Sequence, residues 1–203
     1  MNKKMTAGSA IACFAFVSLA DSIVVNADAA DQQINHPGAM VWVSQPTAQT
    51  GSSVTDGSTA AYVIPFKLPD IAGEVITNVQ LNVYLVKGYP YGAHQETYVD
   101  VYGGRVAASS AVVSNDWSAA NAIGDNIAKI SKDAEPSNTV KSVALTGSFF
   151  QDIYRNDPEA AGKYVFLTLR PDVAPLTRSA TVTWATANDA KAENRPALII
   201  TTK

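Results

Sequence analysis

The sequence predicts an all-β protein: a jelly-roll-like sandwich of two antiparallel sheets, with one or two short helices in its loops. Three observations predict it. Short segments rich in β-branched residues recur, separated by Gly, Pro, Asn, Asp and Ser. Within residues 75–86, Val79, Leu81, Val83 and Leu85 alternate strictly with Asn78, Gln80, Asn82 and Tyr84. That period of two puts one set against a core and the other outward. The single cysteine, Cys13, lies near the amino end, so the remaining chain must be held by its core rather than by disulfides.

The first residues read as a targeting segment. Lys3 and Lys4 form a basic start, residues 5–20 are apolar, and two small-residue cleavage points follow, Ser18-Leu19-Ala20 and Ala27-Asp28-Ala29. This is the three-part pattern of a secretory signal peptide. The expected cut falls after Ala29, with Ala20 as the alternative, leaving one domain over residues 34–203. The apolar run is shorter than the roughly 20 residues a membrane span needs. The remaining chain of roughly 170 residues can bury about 70% of its unfolded surface, enough for a single domain. The net charge is −3, and it is unchanged without residues 1–29, which hold Lys3, Lys4, Asp21 and Asp28. Such a balance argues against nucleic-acid partners and attraction to anionic membranes. The expected setting is extracellular, cell-surface or periplasmic.

Taken in order, residues 39–44 (AMVWVS) read as a first strand and residues 45–58 as a polar loop. Residues 59–68 and 75–86 are strands around a Gly73 turn. Residues 87–96 (KGYPYGAHQE) form a turn-rich loop. A strand follows at 97–102, with Val99 and Val101 on one face and Tyr98, Asp100 and Tyr102 on the other; residues 105–113 suit another strand. Ile123, Ile127 and Ile130 are spaced for a helix over 118–130, although Gly124 weakens it. Thr146 suits the N-cap of a helix over 147–155, which would gather Phe149, Phe150 and Ile153 on one face. Strands at 163–170, 179–185 and 196–202 complete the set.

Enzyme motifs are scarce. There is no Gly-x-Ser-x-Gly elbow, no His-Glu-x-x-His and no phosphate-binding glycine loop. Two histidines, His36 and His94, exclude a His-rich metal site. The loop bearing Tyr89, Tyr91 and His94, with Arg105 downstream, is the one place where a polysaccharide lyase could find a base and a cation for a uronate carboxylate. The plainer reading of that loop is a solvated turn.

The outward strand faces make a sharper binding candidate. If 75–86 and 97–102 form a hairpin, Tyr84, Tyr98 and Tyr102 lie on neighbouring strands among Asn78, Gln80, Asn82 and Asp100. Aromatic rings cover the apolar face of a pyranose, and amides and carboxylates satisfy its hydroxyls. Strand propensity of tyrosine and solvation by amides explain the same pattern without a ligand. Trp184, in phase with Val182, reads as core, and Trp42 is ambiguous. Trp117 reads as a second sugar platform or as a plug over the sandwich end. Secreted sandwiches often carry a structural calcium on loop oxygens; Asp56, Asp116, Asp125 and Asp189 lie in loops, but no spacing resembles a dedicated calcium loop and no ligands are assigned; no other cofactor is expected.

The order of segments resembles the secreted bacterial β-sandwich domains called DNRLRE domains, which overlap a group of carbohydrate-binding modules. The residues carrying the resemblance are Phe66, Leu68, Pro69, Gly73, Ile76, Val79, Leu81, Val83 and Tyr84, then Val143, Leu145 and residues 149–154, then residues 162–169, and finally Arg195, Pro196 and Leu198. Ser58 to Tyr62 stand where the family usually has Asn-Arg before its second strand, so a ligand role of that arginine does not carry over. The resemblance implies a jelly-roll-like sandwich, an extracellular setting and no catalysis. Together these readings predict a non-catalytic binder of extracellular or cell-surface polysaccharide, for adhesion or targeting. A self-assembling surface or matrix subunit is the alternative, and a lyase the third reading.

Overall fold

The computed structural model describes residues 20–36, 39–41, 45–52, 57–88, 98–117, 124–131, 137–171 and 180–203. The signal-peptide run over 1–19, Trp42, Asp56 and the loop with Tyr89, Tyr91 and His94 lie outside the described residues, as do the side chains of Tyr98 and Asp125.

The strands are β1 (Asp21–Asn26), β2 (Gln32–His36), β3 (Ala39–Val41), β4 (Thr47–Ser52), β5 (Thr59–Lys67), β6 (Ile76–Lys87), β7 (Tyr98–Ala107), β8 (Gly124–Ser131), β9 (Thr139–Leu145), β10 (Tyr164–Pro171), β11 (Ala180–Ala185) and β12 (Ala197–Thr202). All pairings are antiparallel. One sheet runs β1-β12-β6-β11-β4-β5-β10-β7-β8; β9 is added to β6, β2 to β5, and β3 to β2. It curls on itself through β11 and β4. One layer is therefore β9-β6-β12-β1, and the facing layer is β8-β7-β10-β5-β2.

The period-two segments explain where the core sits. Val79, Leu81, Val83 and Leu85 of β6 face Tyr62, Ile64 and Phe66 of β5 and Val165, Leu167 and Leu169 of β10, all buried in one cluster. Trp184 joins them as expected, its indole N–H donating to Thr50 Oγ1 at 3.0 Å. Helix α1 (Gly147–Asn156) closes one end, burying Phe149, Phe150 and Ile153. Thr146 stands at its N-cap, but its hydroxyl donates to Ile127 O at 3.0 Å and its N–H to the same oxygen at 3.1 Å. It therefore ties β8 to the start of α1 instead of capping the helix.

Gly103 of β7 and Gly124 of β8 are cross-strand partners. A Cβ on Gly124 would lie 2.5 Å from Phe149 Cδ2 and 2.8 Å from Ile127 Cγ2, and one on Gly103 would overlap the same phenyl ring. The paired glycines make a notch into which α1 inserts Phe149.

Four expectations need correction. Residues 45–58 are not all loop: β4 pairs with β11 over a six-residue register. Its inward residues are Ala48 and Thr50, small or polar, so no hydrophobic alternation marks it. Residues 124–131 are strand rather than helix. Asn126 takes φ 47°, and the register of β7 with β8 shifts. That irregularity lets Ile127 and Ile130, three apart, both face inward, and so imitates helical spacing.

Third, Arg105 begins no separate strand, since β7 runs unbroken to Ala107. A 3-10 turn at Ser114–Trp117 follows. Fourth, β1 (Asp21–Asn26) lies inside the segment assigned to targeting. β1 pairs with β12 from Asp21↔Thr202 to Asn26↔Ala197, and Ala27 and Asp28 donate backbone bonds to Pro196 O and Pro65 O, each at 2.9 Å. A cut after Ala29 would strip this strand from the sheet.

Candidate functional site

The expected hairpin of β6 with β7 does not form. β6 pairs with β12, β9 and β11, whereas β7 pairs with β10 and β8. Tyr84 with Gln80 and Asn82 therefore lies on one layer, and Tyr98, Asp100 and Tyr102 on the other. The proposed single face is two places.

On the first layer, the outward residues of β6 behave as the alternation predicts. Gln80, Asn82 and Tyr84 are half-buried and Asn78 is exposed. Gln80 Nε2 donates to Asn82 Oδ1 at 2.9 Å, which orients the amides along the strand. Cross-strand register sets Asn82 beside Ala197 of β12, and Ala197 beside Asn26 of β1. Small Ala197 thus separates two amides and lowers the floor between them.

A 3-10 turn at Ala192–Asn194, with Arg195, forms a wall above this floor. The turn is fixed by Asp189. Its carboxylate accepts the Lys191 N–H at 2.8 Å and the Asn194 amide at 3.3 Å, and its carbonyl accepts Arg195 Nε at 2.8 Å. The result is a groove of about 240 Å³ lined by Asn26, Asn82, Tyr84, Val140, Asn194 and Arg195, with Glu193 at its edge. One aromatic ring, three amides and a guanidinium converge on it. This is the mixture of an apolar surface and directional polar groups that suits a hydroxyl-rich ligand.

The second layer is not an open face. The segment after β7, with Val112 and the 3-10 turn, covers it, building a small outer core from Ile34 of β2, Val63, Val112 and Phe166, with Ala107, Trp117 and Tyr164 packed against it. Asp100 is buried. Tyr102 donates its hydroxyl to Asp100 Oδ2 at 3.2 Å, and Lys129 Nζ lies 3.5 Å from Oδ1.

Trp117 is a plug rather than a platform, because its own neighbours occupy the ring. His36 stacks on it at 3.9 Å and 13°, and the Arg170 guanidinium lies 4.7 Å from the ring centre. Arg105 is committed as well. Its Nε and Nη2 donate to the two oxygens of Asp116 at 2.6 and 3.0 Å, its Nη2 reaches Ala111 O, and its guanidinium carbon lies 3.9 Å above the Phe166 ring. Asp116, one of the loop carboxylates, is thereby a structural anchor, as is Asp189. Among the described residues no three His, Cys, Asp or Glu side chains cluster as metal ligands.

No family model matches this chain, and no curated protein matches it.

Asn26, Asn194 and Arg195 were not foreseen as neighbours of Tyr84. Asn26 stood in the expected leader, and 192–195 lie more than a hundred residues from β6 in sequence. The Arg-Pro before the last strand was the only local signal for that wall.

A further buried carboxylate ties the amino end to the sandwich. Asp31 accepts the hydroxyl of fully buried Tyr62, the Ala187 N–H at 2.7 Å and the Asn188 amide at 3.2 Å. Burial outweighs these bonds and pushes its pKa up to about 6. Burial, with the neighbouring Asp31 carboxylate, also lifts the Tyr62 hydroxyl well above its ordinary range. Neither group opens onto the Tyr84 groove, and the pair reads as a fastening.

Proposed function

We propose that this chain is a secreted, non-catalytic β-sandwich that binds extracellular or cell-surface polysaccharide, serving adhesion or targeting. The observation that carries the proposal is the groove in which Tyr84 meets Asn26, Asn82, Asn194 and Arg195. A pyranose ring laid on Tyr84 would place its hydroxyls within reach of the amides. The resemblance to DNRLRE domains supports the same reading, as does the basic and apolar amino-terminal segment. Among the described residues no helix is long and apolar enough to cross a membrane.

The test is a glycan array followed by titration of the best ligand against Tyr84→Ala and Asn82→Ala. Loss of the ring should weaken binding about tenfold, and loss of the amide about threefold to tenfold. Unchanged affinity in both variants, with an intact fold, removes the groove from consideration.

A second reading, self-association into a matrix, has one observation in its favour. Among the described residues β1 has a strand partner on one side only, β12, and Val24 on it is 63% exposed. Concentration-dependent sedimentation that disappears in Val24→Lys would support it.

A further inference from the structure

One end of the second layer gathers cations and rings around Arg170. This arginine faces Asp100 across the β10–β7 ladder. Its guanidinium carbon lies 4.9 Å from the centre of the Tyr102 ring and 4.7 Å from that of Trp117. Two ring faces hold the cation in place. Asp100 is engaged elsewhere, by Lys129 at 3.5 Å, by the Tyr102 hydroxyl at 3.2 Å and, with its amide oriented by these neighbours, by Asn126 at 3.2 Å.

Three N–H groups remain. Arg170 Nε, Arg170 Nη1 and Trp117 Nε1 are buried and have no hydrogen-bond partner among the described residues. Native proteins seldom leave buried donors unpaired. All three are donors, and a charged donor is matched best by a charged acceptor. Among the described residues Asp100 is the carboxylate facing Arg170, and Lys129 lies against the same group, while Arg105 is paired with Asp116. The complement of several donors, two of them on a guanidinium, is an oxyanion.

We propose that Arg170 and Trp117 together bind one oxyanion group, a carboxylate or a sulfate, carried by an acidic ligand. Arg170 supplies the charge and two donors, and Trp117 supplies the third. Tyr102 holds the guanidinium in position. His36, exposed and stacked on Trp117, is the side chain that yields to admit the ligand. The site lies on the opposite layer from the Tyr84 groove, so neither proposal depends on the other.

The experiment follows the indole N–H resonances of ¹⁵N-labelled protein during titration, with Trp117 assigned through Trp117→Phe. The probes are sodium sulfate, sodium acetate, glucuronate and, as the uncharged control, glucose. A saturable shift of the Trp117 N–H with the anions, absent with glucose and weakened by added sodium chloride, is expected. Arg170→Gln should weaken it at least about tenfold and Arg170→Lys less, because lysine keeps the charge but not the planar fork. Trp117→Phe, which keeps a ring but removes the donor, should weaken glucuronate binding about threefold to tenfold, read by calorimetry.

Glucuronate binding more tightly than sulfate would identify a carboxylated sugar as the ligand; the reverse order would identify a sulfate ester or free oxyanion. No saturable shift with any anion, or equal shifts in wild type and folded Arg170→Gln, overturns the proposal. Should Arg170→Gln fail to fold, unchanged calorimetric affinity in Trp117→Phe overturns it equally.

Discussion

Gly103→Ala offers the most direct test of how α1 is seated. The added methyl would overlap the Phe149 ring from the β7 side, where even the farther of the contacted ring atoms, Cε1, stands 2.9 Å away. With Cζ and Cε2 at only 2.3 and 2.4 Å, either the ring or the strand must retreat by about 1 Å to reach ordinary contact. β7 is paired on both edges and cannot move cheaply. The ring can move, because Phe149 also lines an open groove of about 620 Å³ with Val106, Ile127 and Ile153. Overpacking of this kind costs about 1–3 kcal/mol, and the available room places the expected loss near 2 kcal/mol. For a domain of this size that lowers Tm by about 4–8 °C.

Differential scanning calorimetry measures the loss, and a double-mutant cycle assigns it. Phe149→Leu alone should destabilise the protein, since it shortens a buried ring. In the Gly103→Ala background the same change should cost less, because leucine vacates the space the methyl needs. A Tm change below about 1 °C, or additive effects in the cycle, would refute the notch as the reason for the paired glycines.

Other perturbations follow from the same packing. Asp31 has a folded pKa raised to about 6. The folded state then holds its proton more tightly than the unfolded chain. The stability this contributes is fully present below about pH 4 and is lost as pH rises through about 6, amounting to about 3 kcal/mol. Asp31→Asn should flatten that part of the stability–pH curve in urea titrations; an unaltered slope argues against it. Asp116→Ala should cost about 2 kcal/mol, because it strands Arg105 and frees the 3-10 turn, and the fluorescence of Trp117 should shift red. A chain starting at Asp21 should melt roughly 10 °C above one starting at Ala30, which lacks β1. If export through a cleaved leader is as proposed, the intact mass of the mature chain should correspond to a first residue of Asp21.

Much of the sandwich was legible because its central strands carry local signals. β6 and β12 combine period-two burial with β-branched residues, β5 and β10 are near-continuous apolar runs buried on both faces, and α1 shows Phe149, Phe150 and Ile153 at helical spacing. β4 was hidden because its inward positions are Ala48 and Thr50. β8 was misread because one positive φ at Asn126 rephases it. β1 was misread because Ile23, Val24 and Val25 continue the apolar character of the residues before them and so read as part of the expected leader.

The candidate site divides along the same line. Sequence alone determined that Gln80, Asn82 and Tyr84 point away from the core, since alternation follows from strand geometry whatever the partner strands are. Only the tertiary structure decided their neighbours. Register across β1, β12 and β6 brought Asn26 and Arg195 to Tyr84, and the curl of the sheet carried Tyr102 to the opposite layer. Strand pairing is a contest among distant segments, decided by how the whole core packs, and a local pattern of residues holds no record of its outcome.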